Sequence, residues 1–250
     1  MSGHSKWATI KRKKASNDAK RSNMYAKLLR AVEVAAREGG GDATGNMTLA
    51  SAIEKAKSFS VPNDNIERAI KRGSGADDSG AHYEELFYEG YAPGGIGVLV
   101  EALTDNRNRT GQEVRHAFTR SNANFGEQGS TAWMFERKGL IVVEKHLAPN
   151  EDRMLELALE SGAEDLRDSE SSWDIVTDPP AFKSVQAALE QGGVPVLSAE
   201  ITMIPKSAIP VDGSEAKQVL ALIEALEELE DVQNVYANFD IPESVMAELG

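Results

Sequence analysis

Nine basic side chains crowd the first 30 residues: Lys6, Lys11, Arg12, Lys13, Lys14, Lys20, Arg21, Lys27 and Arg30. Asp18 is the single acid among them. Ammonium and guanidinium groups at this density suit a polyanion, because each can neutralise a phosphate and release its counterion. Trp7 and Ile10 interrupt the charges. An indole in a polar arm can stack on a base or pack into a partner, and it can equally staple the arm to its own domain. A solvated basic tail with no partner is the plainer alternative. A second cluster is Asp105-Asn106-Arg107-Asn108-Arg109-Thr110, followed by Arg115 and Arg120. It lies between a predicted strand and a predicted helix. Arginine forks beside a helix N-terminus can hold phosphate or carboxylate, so Arg107, Arg109 and Arg115 are candidates for that contact. An internal pair, such as Arg107 with Asp105 or Glu101, accounts for the cluster equally well.

Other chemistries fail on residue type or spacing. The chain has no cysteine, which removes disulfides, thiolate metal sites and thiol catalysis. Gly90-Tyr91-Ala92-Pro93-Gly94-Gly95-Ile96-Gly97 lacks the Lys-Ser/Thr that a phosphate loop needs after its second glycine, so it reads as a turn. His4, His82, His116 and His146 form no i, i+4 pair. The strand-like run from Lys138 to Val143 lacks the exposed aromatics of an RNA-recognition strand. Glu224, Glu227, Glu228, Glu230 and Asp231 read as the solvated face of one late helix. No catalytic residue, metal site or cofactor is assigned.

The charge is segregated. Residues 1–73 hold 15 Lys/Arg against 7 Asp/Glu, a net of +8, and the remainder holds 12 against 33, a net of −21. The whole chain is therefore at −13 over 250 residues, which excludes a uniformly basic nucleic-acid binder. A basic head on an acidic body fits a chain that meets a polyanion at one end only. No apolar run approaches the length of a membrane span, and no apolar segment follows the basic N-terminus as in a secretory signal. A cytoplasmic location without membrane contact is expected.

The elements fall into three blocks. Asn17 or Ser16, Asn46 and Asn63 can cap three amphipathic helices, which end near Glu38, Phe59 and Gly73. The stretch 73–80 has the composition of a linker. Strands follow at 83–91 and 96–103, then a helix at about 110–121. A β-α-β-β-α-β series comes next: a strand within 132–143, a helix at 151–160, short strands at 165–167 and 173–176, a helix opened by Pro179-Pro180, and a strand at 196–204. That order is the ferredoxin-like pattern. A helix from Ser214 to about Glu230 and a strand near 232–239 close the chain, supplying the α-β that the first β-β-α lacks. The expected class is α+β, with an N-terminal helical bundle and two α+β domains. The expected boundaries are 1–78 for the basic helical domain, 79–130 with 206–245 for a discontinuous α+β domain, and 131–205 for the inserted ferredoxin-like domain.

Several motifs then converge. Gly3-His4-Ser5-Lys6-Trp7, Ile10-Lys11, Asp18-Ala19-Lys20-Arg21, Gly90 to Gly95, Thr104 to Thr110, Glu113-Val114-Arg115 and Phe135-Glu136-Arg137-Lys138-Gly139 occur in that order. Together they resemble the YebC/PmpR family. The resemblance implies a three-domain cytoplasmic protein with one α+β domain inserted in the other. It also implies a DNA-binding transcriptional regulator or, as for mitochondrial relatives, a translation activator on or near the ribosome. It carries over no catalytic residue.

The reading that follows is a non-enzymatic nucleic-acid-binding regulator of gene expression. Lys6, Trp7 and Lys11 to Lys14 would meet phosphates and bases, and Lys20, Arg21, Lys27 and Arg30 would extend the track. The partner is DNA, or rRNA on the ribosome. Two rivals are a module whose acidic domains hold a basic protein, and a Mg²⁺-dependent hydrolase built on some acid pair.

Overall fold

A computed structural model describes residues 18–75, 83–147, 151–169, 171–211 and 213–241, with side chains from residue 21 onward. The described residues are mixed α+β. They form two compact units, one of residues 18–131 with 214–235 and one of residues 132–213 with 236–241.

The first unit begins with three helices, α1 (Asp18–Gly39), α2 (Met47–Ser58) and α3 (Asn63–Ser74). Leu28, Val32, Ala35 and Ala36 of α1 recur at helical spacing and bury against Leu49, Ala56, Val61, Ile66 and Ala69. Asn46 caps α2, its side chain accepting from Leu49 N at 3.0 Å. Asn63 does not cap α3: Pro62 holds the cap position with no side-chain hydrogen bond. Gly73 also differs from its expected place as a helix terminator. It lies buried inside α3, where a Cβ would stand 2.1 Å from Glu33 O, so its lack of a side chain lets α1 and α3 approach.

The same unit holds a sheet of order β3-β1-β2-β9, from β1 (Glu84–Ala92), β2 (Ile96–Thr104), β3 (Asn124–Phe125) and β9 (Val232–Ala237). β1 and β2 form an antiparallel hairpin from Glu84↔Thr104 to Ala92↔Ile96. Its turn is a short 3₁₀ segment, Pro93–Gly95, so the glycine-rich run is a turn. Helix α4 (Arg107–Arg120) starts three residues before the expected Thr110, because Asn106 caps it. Helix α7 (Gly213–Glu227) ends before Glu230, and its apolar residues Val219, Leu222, Ile223 and Leu226 are buried.

In the second unit, β4 (Phe135–Glu144), α5 (Glu151–Glu160), β5 (Asp165–Asp168), β6 (Ser172–Thr177), α6 (Phe182–Gln191) and β7 (Val196–Pro205) follow one another. The sheet order is β5-β6-β4-β7 with every pairing antiparallel. This is the split β-α-β arrangement of the ferredoxin-like pattern. Ile141, Val143, Trp173 and Ile175 of the sheet meet Met154, Ala158, Phe182, Val185 and Leu189 of the helices in its core. Pro179 and Pro180 form a 3₁₀ turn ahead of α6 rather than its first turn. The strand expected over 232–239 is broken at Asn238: β10 (Phe239–Asp240) pairs in parallel with β8 (Ile209–Pro210).

Candidate nucleic-acid interface

The Thr104–Thr110 segment turns a strand into a helix. Asn106 N donates to Thr104 Oγ1 at 2.8 Å, and Asn106 Oδ1 accepts from Arg109 N at 3.1 Å. These short polar bonds satisfy backbone groups that the helix start leaves open. They also orient the next two side chains toward Asp231, whose side chain is 2% exposed. Asp231 Oδ2 accepts from Arg109 Nη2 at 2.6 Å, Thr110 Oγ1 at 2.7 Å and Thr104 Oγ1 at 3.1 Å. Asp231 Oδ1 accepts from Arg30 Nη1 at 2.9 Å. Burial pushes the Asp231 carboxyl up. The hydrogen bonds from Arg109, Thr110 and Thr104, with the charge of Arg109, outweigh it and hold the group below the usual aspartate value.

Helix α1 brings two more donors to the same place. Lys27 Nζ donates to Glu227 O at 2.5 Å and Asn23 Nδ2 to Glu228 O at 3.0 Å. Cations at the end of α7 complement its dipole. Arg30 also reaches Glu230 Oε1 at 2.8 Å, and its guanidinium lies 5.2 Å from the Tyr83 ring centroid. The node thus ties the helical bundle to the sheet of the same unit.

The opposite flank of α4 is built differently. Arg107, Gly111 and Arg115 follow at four-residue spacing, so they share one side of the helix. The Arg107 side chain is 67% exposed, with Glu84 no nearer than 4.0 Å. The Arg115 guanidinium lies 4.4 Å from the Phe125 ring centroid. Tyr88 and Phe125 are half-buried, 6.2 Å apart between centroids, and the Tyr88 hydroxyl donates to Arg107 O at 3.2 Å. Burial raises the Tyr88 phenol, and the Arg107 charge opposes that shift. Phe118 meets Phe125 edge-on at 5.8 Å. Gly90 makes room beneath, since a Cβ there would stand 2.4 Å from Phe118 Cε1.

Of the expected nucleic-acid contacts, Lys6, Trp7, Lys11, Arg12, Lys13 and Lys14 lie outside the described residues. Lys20 is in the first turn of α1. Arg21 is exposed, with Nε donating to Tyr25 Oη at 3.1 Å. Lys27, Arg30 and Arg109 are engaged at the node, and Arg107 and Arg115 stand on the exposed flank. Arg109, not Arg107, pairs with Asp105, at 2.9 Å. Asp231 is the residue that sequence reasoning missed, and it corrects the reading of that acidic run as one solvated helical face. Its signal was position: it directly precedes the strand that begins at Val232. Among the described residues no three His, Asp or Glu side chains are grouped to hold a metal, and no helix is long and apolar enough to cross a membrane.

Residues 5–76 match the family model for the TACO1/YebC protein N-terminal domain, and residues 83–239 match that for the TACO1/YebC second and third domain. A protein of Geobacter sulfurreducens named as a probable transcriptional regulatory protein is 52% identical over 249 residues, covering 100% of each chain. A Natranaerobius thermophilus protein with the same description is 53% identical, over 98% of this chain and 99% of its own. The crystal structure of a conserved hypothetical protein from Aquifex aeolicus superposes with a TM-score of 0.79 at 47% identity, covering 90% of this chain and 92% of that one.

Proposed function

The chain belongs to the TACO1/YebC family, and from that premise we propose that it is a non-enzymatic regulator of gene expression that binds nucleic acid through its N-terminal basic segment. One observation carries the reading: nine basic residues against one acid in residues 1–30, on a body whose remaining residues beyond 73 are at −21. Such a body repels a polyanion over most of its surface and so restricts the docked pose. The names of the relatives, which describe probable transcriptional regulatory proteins, support DNA as the polyanion, and the cytoplasm is the proposed site of action. The same names describe regulators, which supports a role without turnover.

The acidic body favours a second reading, with rRNA as the polyanion and assistance to translation as the role. A ribosomal site can add protein contacts and shape to the phosphates, which a bare duplex cannot. Gradient sedimentation of a DNase-treated lysate separates the two. Co-migration with ribosomes that is lost when Lys11, Arg12, Lys13 and Lys14 are all changed to Glu supports rRNA. A duplex shift that the same variant abolishes, without ribosome association, supports DNA. If six to ten phosphates are met, duplex affinity falls roughly 10³- to 10⁵-fold between 50 and 200 mM salt. A salt-independent interaction overturns the basic-segment mechanism, and a protein complex kept by the variant supports a basic protein partner of the acidic domains instead.

A further inference from the structure

We infer that the Arg107–Arg115 flank of α4, with the half-buried rings of Tyr88 and Phe125 between its two arginines, is a second nucleic-acid contact that takes a single-stranded segment. The inference rests on the reading of the protein as a nucleic-acid binder and adds a site on the α+β part of its first unit.

Three observations converge. The first is available charge. Beyond residue 73 there are only 12 basic residues against 33 acids, and five of the 12 are held by carboxylates: Arg109 by Asp231, Lys138 by Glu164 and Asp178, Lys145 by Asp168, Arg167 by Asp165 and Lys206 by Glu136. Arg107 has one exposed acid at 4.0 Å, and Arg115 has an aromatic ring instead of a carboxylate among the described residues. A positive strip on a strongly negative body attracts phosphate there and little else nearby. The second is the interleaving. Arg107 and Arg115 of the helix flank the adjacent rings of Tyr88 on β1 and Phe125 on β3, a cation at each end and two rings between. Single strands are held by this combination, with phosphates on the cations and bases against the rings. A stacked duplex hides its base faces, so half-buried rings that keep part of their surface in solvent favour an unpaired strand. The third is rigidity. Tyr88 is fixed by its bond to Arg107 O, Phe125 by its edge contact with Phe118, and β3 by its pairing with β1 at Gly90↔Phe125. Little side-chain freedom remains to be lost on binding.

The test uses the full chain and fluorescently labelled 12-mers of uridine or thymidine, read by anisotropy across a salt series. The R107A/R115A double variant is expected to bind roughly tenfold more weakly, with the salt slope shallower by about 1.4, since each single-strand phosphate contact contributes about 0.7. F125L keeps an apolar side chain but loses the flat ring, and is expected to bind roughly tenfold more weakly with an unchanged slope. Arg120 lies on the other flank of α4, and R120A should bind as the parent does. Photocrosslinking of a 4-thiouridine 12-mer, mapped by mass spectrometry, gives a readout independent of any variant's folding: adducts on Tyr88 or Phe125 support the site. Parent-like binding by R107A/R115A, or adducts confined to residues 1–30, overturns it. In that case the four-residue Lys11–Lys14 charge reversal still reports on the basic segment separately. If the parent binds neither oligonucleotide nor duplex nor ribosome, the functional reading falls as well.

Discussion

Arg109 reaches inward to a carboxylate that is 2% exposed, while Arg107, two residues earlier in the same hexapeptide, leaves two-thirds of its side chain in water. On a helix, two residues are about 200° of rotation, so neighbours of one type face opposite sides. At the inward side Arg109 and Arg30, drawn from segments 79 positions apart, are both consumed by Asp231. At the outward side Arg107 meets Glu84 only at 4.0 Å, and Arg115 lies over the Phe125 ring. The comparison teaches that a basic motif is not a unit of function. The capping geometry at Asn106 decides which arginine becomes structure and which stays available.

The inward side should break hardest. Changing Asp231 to Ala strands two guanidinium groups and two hydroxyls, and loss of one partner of a buried pair typically costs about 3 kcal/mol or more. A clear fall in the urea midpoint is expected, with Asp231→Asn falling less because it keeps the shape. The pH dependence has a definite sign. The folded carboxyl lies below its unfolded value of about 3.9, so its stabilisation is full above that value and is lost as pH falls through the folded one. The stability gap between parent and D231N should be constant near neutrality and close below about pH 4. A gap that does not narrow at all as pH falls below about 4 would contradict the charge account.

Gly90→Ala strikes beneath the outward side. Its new methyl would meet Phe118 and Asn124 O at 2.4 and 2.5 Å, and overpacking of that kind costs about 2 kcal/mol. Thermal unfolding should show the loss, and single-strand binding should weaken with it because Phe125 is displaced. Thr110→Val keeps volume but removes one 2.7 Å donor to Asp231. About 1.5 kcal/mol is expected from denaturant unfolding, the range for a hydrogen bond to a charged group, with oligonucleotide binding unchanged.

Much of the fold was legible, and what was missed has physical causes. The helical spacing of Leu28, Val32, Ala35 and Ala36 and the cap at Asn46 were readable because both are local. The class α+β and the β-α-β-β-α-β order were readable from alternating periodicities. β3 was missed because two residues, Asn124 and Phe125, cannot show a period of two. The start of α4 was placed late because Arg107, Asn108 and Arg109 carry no apolar period, although Asn106 three residues before Arg109 was a cap signal. Asp231 was misread because its partners Arg30, Thr104 and Arg109 lie more than 120 positions away. Charge alone marked the candidate site, but charge could not separate Arg107 from Arg109. Tyr88 and Phe125 became visible as its companions only once β1, β3 and α4 were placed side by side.

The smallest expected stability effect is the most discriminating. Arg107→Ala removes a surface pair at 4.0 Å with both partners well exposed, and such pairs contribute roughly 0 to 1 kcal/mol. Its unfolding midpoint should match the parent within error, while Arg109→Ala, which uncovers Asp231, should lower the midpoint measurably. If the outward flank is an interaction surface, the two variants should exchange order when the readout is oligonucleotide affinity: Arg107→Ala weakened, Arg109→Ala close to the parent wherever it remains folded. Equal effects in both assays would mean that the two arginines do one job. The rotation imposed by Asn106 would then have no functional consequence.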